Sequence, residues 1–200
     1  MYWATRWPAS CAPPGGTAPG IECFGGSGRF GVNEAGTKMS ITGLYVRVAP
    51  SDLERLNRDP AAFMEASTAS MTLGWENSPS TEPWISIEKA WAVLGYLLDQ
   101  ATDGNLDVIF GGTPIGEDCG FGPPRYLTSN EVLQAADVLS RTPVDRLAAY
   151  YDARQLADAK IYPGHHAEDD LRGLQIDYET LVEFFAVAAE SGDGMLLVLI

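Results

Sequence analysis

Apolar side chains recur along the chain in two different periods, and together these periods predict an α+β domain. Ile41 to Val48 is rich in β-branched and aromatic residues, which predicts a strand. The last residues, 195–200, are apolar at every position and predict a strand at the centre of a sheet. A short apolar run at 106–110 is followed by two glycines and predicts a third strand. We therefore expect a small mixed sheet (strands near 41–48, 106–110 and 195–200) that packs with several helices in a single domain.

The helical period is clearest at 86–101, where apolar residues return at every third or fourth position. Two further segments carry the spacing of a capping box, in which a hydroxyl and a carboxylate satisfy the first amides of a helix. These are Ser51 with Glu54, and Thr128 with Glu131. Each pair predicts the start of a helix.

The first 38 residues differ from the rest of the chain, because they hold eight of the 21 glycines and four of the 13 prolines. A segment of this composition buries too little apolar surface to offset its ordering entropy, so we expect 1–38 to be a disordered tail. Two alternatives stay open. Trp3 and Trp7 are potential anchors for a partner, or the start is assigned too early, since Met39 directly precedes the first predicted strand. The folded domain is expected over 39–200.

The formal net charge of -14 narrows the range of partners. Because phosphate binding depends on clustered Lys and Arg, we expect neither nucleic acid nor an anionic membrane as a partner. A basic protein or a cation is compatible with this charge, and simple solubility also explains it. No apolar run reaches the ~20 residues that span a bilayer. Since no signal-peptide pattern is present and the three cysteines form no disulfide framework, we expect a cytoplasmic location.

The most unusual segment is the loop at 111–126, which has five glycines and three prolines in sixteen residues. It joins a predicted strand to a capped helix, where binding loops commonly lie. Gly111 and Gly116 have the four-residue gap of a phosphate-binding loop. However, Glu117 and Asp118 follow where that motif has Lys and Ser or Thr, so nucleotide binding is not expected.

The two adjacent carboxylates allow a structural and a catalytic interpretation. In the structural one, one carboxylate accepts main-chain N–H groups of the loop and the other pairs with Arg125. In the catalytic one, a partly buried carboxylate acts as a general base. We assign no catalytic residue and expect no cofactor and no metal. The candidate ligand-binding residues are Glu117, Asp118, Arg125, Tyr126 and Trp91.

Three other residues have side chains suited to chemistry. Cys119 is a candidate nucleophile, with His165 or His166 as its base. Because its acidic neighbours raise the pKa of a thiol, a buried cysteine without a chemical role is favoured instead. The histidine pair precedes three acidic residues, which suggests a metal site. Since the spacing matches neither a zinc helix nor a calcium loop, a solvated acidic helix start is favoured instead.

Several of these segments resemble a bacterial family named after YfbM, the domain of unknown function 1877. The resemblance is most specific in the loop, at 111–118 and 120–127, and is also present at 41–45 and 87–91. It covers nearly all of 39–200. The resemblance implies an α+β fold and a small stand-alone protein, and it implies no activity.

Three functions are therefore open. The first is a non-enzymatic binding protein that uses the loop at 111–126 for a small ligand or a protein partner. The second is a hydrolytic acid–base enzyme that uses Glu117 or Asp118, with Arg125 holding an anionic substrate. The third is an acidic, immunity-type protein that neutralises a basic partner, in which charge steers association.

Overall fold

A computed structural model describes residues 41–69, 79, 81–102, 107–118 and 121–200 of the chain. The expected tail at 1–38 and Cys119 lie outside the described residues, so the predictions made for them stay predictions. Within the described part, no helix combines the length and the apolar character that crossing a bilayer requires.

Within these residues the strands form one five-stranded sheet in the order β2-β1-β5-β4-β3, and each of its pairings is antiparallel. The α+β class is confirmed, and the expected mixed sheet is antiparallel instead. The terminal strand lies at the centre of the sheet, as its apolar sequence predicts. The strands are β1 (Gly43–Val48), β2 (Trp84–Ser86), β3 (Thr113–Pro114), β4 (Arg125–Leu127) and β5 (Gly194–Leu199).

The strand predicted at 106–110 is wrong, because residues 108–110 form a turn. The Asp107 carboxylate accepts hydrogen bonds from the main-chain N–H of Ile109 at 3.2 Å and of Phe110 at 2.6 Å. An Asp side chain that bonds the next amides competes with strand pairing. The apolar side chains of Val108 and Ile109 are buried as expected, but from a turn.

Of the two predicted capping boxes, one is confirmed and one is not. Thr128 and Glu131 form the full reciprocal box at the start of α4. Ser51 and Glu54 do not, since α1 has no side-chain cap and Glu54 pairs with Arg58. The helices are α1 (Leu53–Arg58), α2 (Pro60–Ala69), α3 (Ala90–Ala101), α4 (Ser129–Ser140), α5 (Val144–Ala148), α6 (Ala153–Asp158) and α7 (Asp170–Ser191).

The two faces of the sheet carry cores of different size. On the larger side, strand residues such as Tyr45 and Leu197 pack with the apolar faces of α3, α4 and α7. On the smaller side, alternate strand residues pack with Leu56 of α1 and Phe63 of α2. Because successive strand side chains point to opposite faces, both faces of β5 are buried.

Candidate functional site

A pocket of about 330 Å³ opens at the end of the central strand β5. Its walls are residues 43–45 of β1, the turn at 107–110, residues 121–123 with Arg125, and residues 197–199 of β5. We call it the Leu199 pocket. Its volume lies at the small end of the range found for ligand sites, about 300–1,000 Å³.

The pocket exists because the hydrogen-bond ladder between β4 and β5 stops early. Thr42 and Ile200 exchange two main-chain hydrogen bonds, of 2.7 and 3.0 Å. Because the residues of an antiparallel strand point their N–H and C=O alternately to one neighbour and the other, the preceding residue Leu199 turns its N–H and C=O away from β1. The pairing of β4 with β5 ends at Arg125 opposite Leu197. Continued by two residues, the register places Pro123, which has no N–H, opposite Leu199. Among the described residues, the main chain of Leu199 has no hydrogen-bond partner on the β4 side.

Arg125 is held by main-chain carbonyls and not by the two acidic residues expected from the sequence. Its Nε donates to the carbonyl oxygen of Gly111 at 3.0 Å, and its Nη2 donates to that of Gly112 at 2.8 Å. The predicted clasp between Arg125 and Glu117 or Asp118 is therefore wrong. These bonds use one edge of the guanidinium, and its Nη1 has no hydrogen-bond partner in the described part of the chain.

Gly112 makes this arrangement possible, because its φ of +79° is a conformation that side chains disfavour. A Cβ atom there would lie 2.4 Å from the Tyr126 carbonyl oxygen. The glycine therefore lets the loop approach β4 closely and present two successive carbonyls to Arg125. The result is a cation whose position is fixed at the wall of the Leu199 pocket.

Glu117 and Asp118 lie on the exposed part of the loop and do not line this pocket. The Asp118 carboxylate accepts a hydrogen bond from the Gly122 N–H at 3.0 Å. This contact bears out the structural interpretation of one carboxylate, which accepts a main-chain N–H of the loop. The bond holds Gly122, which lies between Phe121 and Pro123, and these three residues line the pocket.

Tyr126 and Trp91 take up positions away from the pocket. Tyr126 packs on the smaller core, with its ring over Gly194, and burial together with nearby Glu131 raises its pKa. Trp91 is almost fully buried, stacks on Tyr162 at 5.5 Å and donates from its indole to the Ile41 carbonyl at 3.0 Å. Of the five sequence-predicted candidates, the structure places only Arg125 in the wall of the Leu199 pocket.

Sequence reasoning missed the turn at 107–110 as a wall of the site. Tyr45 anchors this turn by donating from its hydroxyl to the Val108 carbonyl at 2.9 Å. Burial, and to a smaller extent the charge of Asp107, raises the pKa of Tyr45 well above its usual range, which keeps the hydroxyl protonated as a donor. The sequence signal was Asp107 within the short apolar run at 106–110, because an Asp side chain favours a turn.

A second cavity, of about 590 Å³, lies between the start of α3 and the first half of α7. We call it the Asp177 cavity. Its charged and titratable lining residues are Glu88, Lys89, Tyr151, His165, His166, Asp169, Asp170 and Asp177.

Two features of the Asp177 cavity are unusual. Burial, with a smaller contribution from Glu88, raises the pKa of Asp177 to about 6. Glu88 has a φ of +44°, which is uncommon for a residue with a side chain, and its carbonyl accepts from the Gly43 N–H at 2.9 Å. His166 lies with Nε2 3.0 Å from the Ile161 carbonyl oxygen. Among the described residues, no group of three or more His, Cys, Asp or Glu side chains is arranged to hold a metal ion.

Fold and site together define an α+β protein with an open antiparallel sheet and a ligand-sized pocket at the end of its central strand. The profile of the family described as a domain of unknown function (DUF1877) matches residues 39–198, and the chain belongs to this family. The resemblance found from the loop motif is therefore confirmed.

Among solved structures, the chain is similar to the crystal structure of YfbM, a protein of unknown function from Escherichia coli. The two share 18% sequence identity with a TM-score of 0.55, over 80% of this chain and 99% of that one. At this identity the similarity shows the fold. No curated protein matches the chain significantly.

Proposed function

We propose that this protein binds a small molecule in the Leu199 pocket, and that the loop at 111–126 forms part of the binding site. The observation that carries the proposal is an immobilised Arg125 in one pocket with the N–H and C=O of Leu199, for which the described residues supply no hydrogen-bond partner. Fixed polar groups that stand beside aromatic and aliphatic side chains are typical of small-molecule sites.

The polar groups are positioned before any ligand arrives. Arg125 is tied to the carbonyls of Gly111 and Gly112, Phe121 precedes a glycine held by Asp118, and Leu199 is part of the central strand. A site built on such fixed elements loses little conformational entropy on binding. This supports binding of a ligand at the pocket without rearrangement of the sheet.

The test is a screen of mixed metabolites (amino acids, organic acids, amines, sugars and nucleosides) against the isotope-labelled protein by NMR. We expect shift changes that cluster at residues 107–110, 121–125 and 197–199. Replacing Phe121→Ala removes an aromatic wall, which should weaken the best ligand by about tenfold.

The matched control is Leu133→Ala, which also removes a large apolar side chain but from an exposed site on α4 (56% exposed). It should leave the affinity unchanged. Shift changes that map onto the Asp177 cavity, or an equal loss of affinity in both variants, would contradict the proposed site.

The hydrolytic and neutralising functions expected as alternatives stay predictions. Glu117 and Asp118 lie outside the Leu199 pocket, so the arrangement of this pocket supports binding ahead of acid–base chemistry by these residues.

A further inference from the structure

Most polar side chains in the wall of the Leu199 pocket are already engaged with the protein's own main chain. The Tyr45 hydroxyl donates to the Val108 carbonyl at 2.9 Å, and the Asp107 carboxylate accepts from two N–H groups of its own turn. Arg125 uses Nε and Nη2 on two loop carbonyls and keeps Nη1 open. A ligand is therefore recognised chiefly by the main chain of Leu199, with Arg125 beside it.

The main chain of Leu199 presents a donor and an acceptor side by side. In an antiparallel sheet, the N–H and C=O of one residue point to the same neighbour, and a paired residue exchanges both bonds with them. Leu199 turns both groups away from β1 and finds no partner for them on the β4 side in the described part of the chain. Its N–H and C=O thus meet a ligand in the place that a paired residue of β4 would take.

This pair of groups discriminates between classes of ligand. A carboxylate only accepts hydrogen bonds, so it leaves the C=O of Leu199 without a donor. An ammonium group only donates, so it leaves the N–H without an acceptor. Because a desolvated polar group that stays unpaired carries a free-energy cost, a ligand that supplies one acceptor and one donor is favoured. An amide group supplies both.

The shape of the amide narrows the class further. An open-chain secondary amide is trans, so its N–H and C=O point in opposite directions. A small ring holds its amide cis, so both groups lie on one edge of the ring and match the edge of Leu199. The side chains of Phe110 and Phe121 in the wall offer aromatic surface to such a ring. With a volume of about 330 Å³, the pocket suits one ring better than a nucleotide.

From these observations, and resting on the proposed function above, we infer that the Leu199 pocket binds a small, neutral cyclic amide, a class to which uracil belongs. The ring N–H donates to the Leu199 C=O, and the adjacent ring carbonyl accepts from the Leu199 N–H. Arg125 pairs with Leu197 and so joins the wall on the N–H side of Leu199, where it shares that carbonyl through the second lone pair. Since the ligand is neutral, neither Asp107 nor the net charge of -14 repels it, as both would repel an anion.

The test is an NMR titration of the isotope-labelled full chain, followed at the amide signal of Leu199. The probes are uracil, dimethyluracil, in which methyl groups replace both N–H hydrogens, and benzoate, in which a carboxylate replaces the amide. We expect uracil to move the Leu199 amide proton downfield. We also expect it to bind at least about tenfold more tightly than either other probe, since each of them leaves the Leu199 C=O unpaired.

Two variants isolate the main-chain donor. Leu199→Pro removes the N–H without breaking the ladder to β1, because this N–H points away from that strand. Leu199→Ala is the matched variant, since it also loses the leucine side chain but keeps the N–H. We expect uracil to bind Leu199→Pro at least about fivefold more weakly than Leu199→Ala. The amide signals of β1 show whether the sheet is intact in both, and if it is not, the comparison of probes on the natural protein decides alone.

Equal or tighter binding of dimethyluracil or benzoate to the natural protein would overturn the inference, and so would equal affinities of uracil for the two variants with intact sheets. If uracil fails to bind while the metabolite screen finds a ligand of another class in the same pocket, the inference is wrong and the proposed function stands. If no ligand of any class perturbs residues of the pocket, the proposed function itself fails.

Discussion

Two cavities of this domain differ in how their charged groups are arranged. In the Leu199 pocket, one cation and one anion are each held by main-chain hydrogen bonds. In the Asp177 cavity, four carboxylates share the wall with one lysine and two histidines. There, burial and a like charge raise the pKa of Asp177 to about 6, so its ionisation changes close to neutral pH. The charged groups of the first cavity are thus held in place by the main chain, whereas the charge of the second changes with pH.

Each of these two cavities has a glycine in its wall, and the two glycines differ in the space around them. The glycine of the Leu199 pocket provides the largest expected effect on stability. Gly43 lines the Leu199 pocket, and a Cβ there would lie 2.8 Å from the Cβ of Trp91. Trp91 is almost fully buried and its ring packs against both Tyr162 and Phe110. Gly43→Ala should therefore lower the free energy of unfolding by about 3 kcal/mol, measured by urea denaturation. An unchanged transition midpoint would show that this wall is not tightly packed.

Arg125 provides the next largest effect, because it satisfies two carbonyls of the loop. Arg125→Ala should cost about 2 kcal/mol of unfolding free energy, since hydrogen bonds to a charged group are lost at a half-buried site. Arg141→Ala is the matched control, because Arg141 pairs with Asp137 at an exposed site and should contribute little. Equal losses in the two variants would mean that the loop does not depend on Arg125.

In the Asp177 cavity, the sign of the pH dependence follows from the raised pKa. The pKa of Asp177 is 3.8 in the unfolded chain and about 6 in the folded protein, so between these two pH values the folded state binds more protons than the unfolded state. Stability therefore rises as the pH falls from 7 through this interval. Asp177→Asn should stabilise the protein at pH 7 by about 1 kcal/mol, after discounting for partial exposure, and the gain should shrink towards pH 4.

The control for this prediction is Glu179→Gln, which removes an exposed carboxylate from the same helix, α7. Denaturation of the three proteins across the pH range measures the effect. A gain that is the same at every pH, or one that Glu179→Gln reproduces, would argue against a buried carboxylate facing Glu88.

The smallest expected effect is a glycine substitution in the Asp177 cavity, and its sign is opposite to that of Gly43→Ala. Gly173 lines the Asp177 cavity from within α7, and no atom lies within 4 Å of a Cβ placed there. Gly173→Ala should therefore raise the unfolding free energy by about 0.5 kcal/mol, because glycine is the less favourable residue in a helix. A thermal denaturation series with Gly43→Ala checks the contrast, and a destabilising result would mean that the helix or cavity is packed differently there.

Local hydrogen-bonding patterns made part of the fold predictable. Thr128 and Glu131 lie three residues apart and form the box that their spacing predicts. The same spacing at Ser51 and Glu54 failed, since Arg58 one turn later pairs with the Glu54 carboxylate. The apolar run at 106–110 was read as a strand because hydrophobicity alone does not show that Asp107 bonds the following amides.

The candidate site was only partly predictable, for a physical reason. The sequence placed Arg125 in a functional loop but suggested acidic partners, because charges attract and Glu117 and Asp118 lie nearby in the chain. Its actual partners are carbonyls, which every residue carries, so no sequence signal marks them. The contribution of Leu199 depends on where the β4 ladder ends, and that follows from the register of three strands.

The most direct test is a crystal structure of the protein soaked with the metabolite that gives the largest shift changes in the NMR screen. The prediction is density for that metabolite between Arg125 and Leu199, with the guanidinium still bound to the carbonyls of Gly111 and Gly112. A guanidinium turned towards Glu117 and Asp118, or the metabolite bound in the Asp177 cavity with the Leu199 pocket unchanged, would contradict this account.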